Sequence, residues 1–192
     1  MSDILQLKKD AGILDLKKVA PSLTRLKGML NWDPHPVHGA SLSQGFDLDL
    51  FVFSLNKGGK IDGGQDVCFY HNKSIHNGAV QIPVDNRTGE GDDDEYVLFD
   101  LQKAPVDRSF DLYVFVYEAA ERGHNFGMIA NPTVHLVDEV TNATIQVYSL
   151  NQHVTGTAVH LGRVSNDGNG WAFSPIGDAA AADPNAVARA YM

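Results

Sequence analysis

The sequence predicts an all-β fold, an antiparallel β-sandwich with a short C-terminal helix. Three observations predict it: many short apolar runs, turn residues between them, and almost no helical periodicity outside the tail. At 192 residues, with 43% hydrophobic and 20% charged side chains, the chain is long enough for one domain, residues 1–192, with a sizeable core. Its composition is too ordinary for a disordered chain.

The runs follow one another in order. "ILQL" comes first, then "FDLDLFVFSL" from Phe46, "DVCFY" from Asp66, "AVQIPV" from Ala79 and "YVLFDL" from Tyr96. "FDLYVFVYE" from Phe110, "TVHLVD" from Thr133, "TIQVYSL" from Thr144, "TAVHLGRV" from Thr157 and "WAFSPI" from Trp171 complete the set. Separators such as "NKGGK", "HNG", "TNA" and "NDGNG" hold the Gly, Asn and Asp that tight turns require. The tail differs: in "DPNAVARAYM" Asp183 is placed to cap a helix, Pro184 occupies its first turn, and good helix formers follow. Residues 178–192 therefore read as a helical tail, with the Ala-rich "DAAAAD" as a hinge before it.

Charge is unevenly spread. The formal net charge is −9, and residues 85–100 carry seven acids against Arg87, whereas residues 1–30 carry six Lys or Arg against three Asp. An acidic chain with one mildly basic end lacks the basic stripe that general nucleic-acid binding needs to displace counterions. "MSDILQLKKD" has charges where the apolar part of a signal peptide would run, and no apolar stretch has membrane-spanning length, so a cytoplasmic location is expected. The single cysteine, Cys68, lies in an apolar strand pattern and reads as a small core residue rather than a reactive thiol.

The acids themselves raise a question of electrostatics. "DNRTGEGDDDE", residues 85–95, gathers Asp85, Glu90, Asp92, Asp93, Asp94 and Glu95, whose mutual repulsion must be offset by solvation, disorder or a cation. Strand alternation in "FDLDLFVF" points Asp47 and Asp49 to the same face as Phe51 and Phe53, and Phe46, Leu48 and Leu50 to the other. Two carboxylates about 6–7 Å apart on one strand face suit a metal at the rim of a sandwich, or else a solvated strand start. Asp85, Asn86, Glu90, Asp92, Asp93, Asp94 and Glu95 are hard oxygen donors, and Gly89 and Gly91 let the backbone bend around an ion. Ca²⁺ accepts six to eight such donors in flexible geometry, and the absence of His and Cys from the run argues against a softer metal. The spacing is not that of the helix-flanked calcium loop, since Arg87 and Gly89 stand at alternate ligand positions. A site between strands is expected instead.

"NWD", "FDLDLFVF", "VDNRTGEGDDDEYVLFDL", "YEAAERGHNFGMI" and "HLVDEVTNATIQVYSL" occur in the order found in the bacterial tellurium-resistance TerD family, and the N-terminal "LKKDAGILDLKKVAPSLTRLKGMLNWD" is similar to its opening. The resemblance covers roughly residues 5–177, and "DNRTGEG" and "NFG" are its most specific motifs. It implies a β-sandwich that binds Ca²⁺ through acidic loops and serves resistance to tellurite and other stresses. Carried over by motif, Asp47 and Asp49 match the family's paired acids, Asp85 and Asn86 its "DN", Glu90 its "GEG" acid, and Asp93, Asp94 and Glu95 its "DDE". This chain reads "GEGDDDE" where the family commonly reads "GEGDGDDE". The loop is one glycine shorter, which changes the register of Asp92 and Asp93.

Other signals are weaker. Asp33 in "NWDP" and Glu118 in "VYE" join the ligand shell if their strand ends meet the acidic loop; their alternatives are a turn before Pro34 and a carboxylate paired with Arg122. "HPVH" lacks the second ligand pair of a zinc site, "ERGHNFG" brings no nucleophile to its His, and "GGKIDGG" lacks the Lys and hydroxyl of a phosphate cradle. The expected function is a non-enzymatic Ca²⁺-binding module acting with a protein partner in a stress-response complex. Two alternatives stand beside it: calcium-bridged docking to an anionic membrane surface, with "YHNKSIHNG" beside the loop, and metal-assisted chemistry on phosphate or metalloid oxyanions.

Overall fold

The computed structural model describes residues 4–8, 11–33, 46–83, 95–151 and 155–192. Among these residues thirteen strands form two sheets. In chain order they are β1 (Ile4–Gln6), β2 (Leu14–Asp15), β3 (Arg25–Asp33), β4 (Leu48–Leu55), β5 (Val67–Cys68), β6 (Ser74–Ile75) and β7 (Val80–Gln81). There follow β8 (Glu95–Asp100), β9 (Ser109–Val116), β10 (Ala130–Asp138), β11 (Ala143–Ser149), β12 (Ala158–Asn166) and β13 (Trp171–Ala180). One sheet runs β1-β11-β10-β3-β8-β7-β6 and the other β2-β13-β12-β9-β4-β5. All pairings are antiparallel except β1 with β11. Three short helices join them: α1 (Leu16–Val19), α2 (Ala119–Arg122) and α3 (Pro184–Ala190). The antiparallel sandwich with a short C-terminal helix is the fold the turn-punctuated runs predict.

The two inner faces meet in one core. Leu26, Leu30, Val97, Phe99 and Leu136 come from the first sheet, and Leu50, Val52, Leu112, Val114 and Leu161 from the second. β3 is the central strand that the apolar runs did not reveal. Its buried positions are Leu26, Gly28, Leu30 and Trp32, with Lys27, Met29 and Asn31 between them. The alternation is present, but Gly28 sits on its core face and Lys and Asn on the other, so apolar content alone does not mark it. Pairing on both sides, to β8 and β10, makes it a strand.

At β4 the second sheet is apolar on both faces. Phe51, Phe53 and Leu55 of β4 point away from the main core and form a second cluster with Ile61, Val67, Phe115 and Ala158. Helix α3 partly covers this cluster, with Val187, Ala188 and Tyr191 packed against it. Asp183 caps the helix by accepting from Ala186 N at 2.7 Å, and Pro184 opens it. Of residues 178–192, the first three belong to β13, where Asp178, Ala179 and Ala180 pair with His160, Val159 and Ala158. The Ala-rich segment read as a hinge thus begins inside a strand. Alanine is tolerated there because the neighbouring strand supplies the hydrogen bonds that fix its backbone.

A bulge sits in the same pairing. The β12–β13 register shifts between His160 and Gly162, so Ile176 and Gly177 together face Leu161. Gly177 has φ +72°, and a Cβ there would lie 2.2 Å from the carbonyl oxygen of Leu7, so only glycine lets the first segment cross the bulge.

Cys68 is fully buried on β5, and burial pushes its thiol up to about 12. The native protein is expected to resist thiol alkylation at neutral pH, and Cys68→Ala is expected to leave Ca²⁺ binding unchanged. Mass spectrometry after iodoacetamide treatment and calorimetry of the variant check both. Among the described residues no helix is long and apolar enough to cross a membrane.

Candidate functional site

Sheet pairing brings several of the sequence's acids to one end of the sandwich. Asp47 and Asp49 lie at the start of β4, Glu95 at the start of β8, Glu118 just beyond the end of β9, and Asp33 at the end of β3. β4 enters the sheet beside the exit of β9, with Leu48 paired to Val116 and Tyr117 N donating to Asp47 O at 2.9 Å. A strand entering antiparallel to one leaving necessarily places the head of one beside the tail of the other.

Asp47 and Asp49 are 8% and 5% exposed, low values for carboxylates at a strand start. With Glu118, Tyr70, His71, Tyr117 and Arg122 they line a polar cleft of about 390 Å³. Glu95 is 1% exposed and reaches across from the other sheet: its Oε2 accepts from Leu50 N at 2.7 Å. The reason lies in the sheet edge. β5 pairs only with Val52 and Phe53, so it ends before Leu50, and Glu95 takes up the N–H there. Three nearly buried carboxylates therefore lie around the start of β4. Burial raises the cost of charge on a carboxylate, so positive charge close by is favourable at such a rim.

Arg122 supplies part of it. Its Nε and Nη2 donate to Glu118 Oε2 at 3.0 and 2.9 Å, and its guanidinium lies 4.9 Å from the centroid of Tyr117. Hydrogen bonding to Glu118 and the charge of that residue hold the Tyr117 phenol above its ordinary value. Glu118 itself adopts left-handed φ 47° at the N-terminus of α2, a conformation that aims its side chain into the cleft at some backbone cost. Asp33 is exposed, and its Oδ2 accepts from Asn131 Nδ2 at 2.6 Å, tying the end of β3 to the start of β10.

The structure thus joins Asp47, Asp49 and Glu118 in one cleft, sets Glu95 against the backbone beside Asp49, and engages Asp33 with Asn131. Asp85, Asn86, Glu90, Asp92, Asp93 and Asp94 lie outside the described residues. Among the described residues no group of three or more His, Cys, Asp or Glu is arranged to hold a metal ion. The described acids supply at most part of a coordination shell. Their donors are all hard oxygens, which fit Ca²⁺ and not a thiolate-seeking ion.

Sequence reasoning did not single out Asp111, the most buried carboxylate among the described residues. On β9, fully buried, it accepts from Arg163 Nε and Nη2 at 2.5 and 2.8 Å and from the Tyr191 hydroxyl at 2.5 Å, and His160 Nε2 stands 3.4 Å away. Desolvation opposes its charge, yet Arg163 and His160 outweigh it and lower the carboxyl to about 2. The Asp in "FDLYVFVYE" carries no local sign of this, because its partners come from β12 and from the residue after α3.

Comparison with known proteins agrees with this architecture. The model of the TerD domain matches residues 4–191. The chain is 33% identical over 169 residues to the tellurium resistance protein TerD of an Alcaligenes species, covering 86% of each chain. It is 34% identical over 167 residues to general stress protein 16U of Bacillus subtilis, covering 85% of each. A solved structure of a TerD homologue from Streptomyces coelicolor superposes with a TM-score of 0.69 at 20% identity, over 87% of this chain and 96% of that one. The chain belongs to the TerD family of tellurium-resistance and stress-response proteins.

Proposed function

We propose that this protein is a non-enzymatic Ca²⁺-binding module of the stress response, in which the ion neutralises the acids at one end of the sandwich and orders a surface that a protein partner reads. The observation that carries the proposal is the burial of Asp47, Asp49 and Glu95 at one rim, with Glu95 directly following Asp92, Asp93 and Asp94 in the chain. Burial raises the cost of charge on a carboxylate, and a bound cation offsets that cost; Arg122 is bonded to Glu118. Asp47 and Asp49 would hold the ion together with donors from residues 85–94, chiefly Asp85, Asn86, Glu90 and Asp92 to Asp94. Glu118 joins them only by giving up Arg122. What Ca²⁺ supplies is charge neutralisation and a fixed loop geometry.

The described cleft is lined by carboxylates, two tyrosines, His71 and Arg122 and by no Ser, Thr or Cys nucleophile, which supports a binding role over a catalytic one. Calorimetric titration of metal-stripped protein with Ca²⁺, Mg²⁺ and Zn²⁺ tests the reading. Ca²⁺ is expected to bind with measurable heat and Mg²⁺ more weakly, because Mg²⁺ dehydrates reluctantly and demands strict octahedral geometry. Equal responses to Ca²⁺ and Mg²⁺ would reduce the effect to charge screening and end the proposal.

A further inference from the structure

We infer that Glu95 is a positioning residue and not a calcium ligand: its carboxylate fastens the start of β8 to the edge of β4, and this clamp sets the calcium affinity of the rim. The inference rests on the calcium reading above and assigns one residue of that same site. Glu95 stands on the inward face of β8, in line with the core residues Val97 and Phe99. A glutamate at a core position is costly unless its oxygens are engaged. Oε2 accepts from the N–H of Leu50, 45 residues earlier in the chain, at 2.7 Å, and a carboxylate accepting from an amide makes a stronger bond than a neutral oxygen does. Leu50 is paired to Val114 on its other side, and Glu95 to Leu30, so this one bond joins β8 of the first sheet to β4 of the second.

Geometry separates Glu95 from the other acids of the rim. Asp47 and Asp49 share the outer face of β4 with Phe51 and Phe53 and line the polar cleft with Glu118. Glu95 comes from between the sheets and is not among the residues lining that cleft. Its place in the chain gives the clamp a consequence. Asp92, Asp93 and Asp94 immediately precede it, so holding Glu95 fixes the point at which the acidic run joins the sandwich. A ligand segment anchored at one end has fewer arrangements to lose when an ion binds. Without the anchor the ion must order that segment itself, and affinity falls.

Two substitutions separate reach from charge. Glu95→Gln keeps the length and an acceptor oxygen but loses the charge, whereas Glu95→Asp keeps the charge and is one methylene too short for Leu50 N. Calorimetric titration of the metal-stripped full chain with Ca²⁺ is expected to place Glu95→Gln within about twofold of the wild type and Glu95→Asp about tenfold weaker, the factor that one hydrogen bond to a charged group supplies. Exchange of the Leu50 amide proton, followed by NMR in chelator, reads the clamp without the ion. It is expected to stay slow in the wild type and Glu95→Gln and to quicken about tenfold in Glu95→Asp. Should Glu95→Asp not fold, Glu95→Gln alone decides, and full Ca²⁺ affinity there supports the clamp. A loss of about tenfold in folded Glu95→Gln assigns the carboxylate to the ion and overturns the proposal, as does a Leu50 amide equally protected in folded Glu95→Asp. A wild type that binds no Ca²⁺ ends the calcium reading itself, and this inference with it.

Discussion

Metal-stripped protein is expected to gain about 2.7 kcal/mol of stability in Ca²⁺ at a hundredfold excess over its dissociation constant, and Asp49→Asn is expected to lose most of that gain. For a chain of this size the wild-type gain corresponds to a rise of about 5–10 °C in melting temperature. In chelator the sign reverses. Asp49 is nearly buried beside Asp47, so removing its charge relieves repulsion and desolvation, and Asp49→Asn is expected to be slightly more stable than the wild type. In saturating Ca²⁺ the same change removes a ligand and destabilises. Melting curves of both proteins, with chelator and with Ca²⁺, read the crossover directly. A variant that shifts the same way in both conditions would leave the acids as a charged surface without a bound ion. Asp94→Asn extends the test to the acidic run: if both segments ligate one ion, the double variant loses less than the sum of the single losses, because the second substitution acts on a site already disabled.

Arg163→Met is expected to destabilise the fold by about 3 kcal/mol, the low end for breaking a buried ion pair. Asp111 has no exposure of its own, while the Arg163 side chain is 41% exposed, and Tyr191 and His160 stay beside the carboxylate when Arg163 is lost. Those remaining contacts keep the cost from the top of the range. The same network makes stability depend on pH. The Asp111 carboxyl is lowered from its ordinary 3.8 to about 2, so its contribution is complete above pH 4 and is lost as pH falls toward 2, by about 2 kcal/mol. Denaturant midpoints at pH 5 and pH 2 are expected to converge between wild type and Arg163→Met, because protonated Asp111 no longer needs the guanidinium. A gap that persists unchanged at pH 2 would show that Arg163 stabilises through its packing instead. Tyr191, whose hydroxyl burial and Asp111 push well above its ordinary range, carries the effect to the C-terminus, since it anchors the end of α3 on β9.

Several features of this molecule are local and were legible in the sequence. Alternation in "FDLDLFVF" put Asp47 and Asp49 on the face shared with Phe51 and Phe53, and the structure has Phe46, Leu48 and Leu50 in the main core and Phe51 and Phe53 in the outer cluster. The Asp183–Pro184 pair marked the start of α3. The run from Asp85 to Glu95 shows hard oxygen donors and no His or Cys. Each of these rests on spacing within a few residues, where side-chain direction and capping are set by the backbone itself.

Tertiary structure decided what depends on distant partners. β3 became a central strand because β8 and β10 flank it, although Gly28 and Lys27 obscure its pattern. Glu95 was joined to β4 because β5 stops at Val52 and leaves the Leu50 N–H to be met. Glu118 was given to Arg122 and Asp33 to Asn131. Asp111 turned from an ordinary strand residue into the anchor of α3 through β12 and Tyr191. The sequence by itself determined the sandwich, its helix cap and the chemistry of its acids, since these follow from periodicity and side-chain type. Which of those acids meet, and what lies over the outer face of β4, only the fold decided, because such contacts exist once strands far apart in the chain have paired.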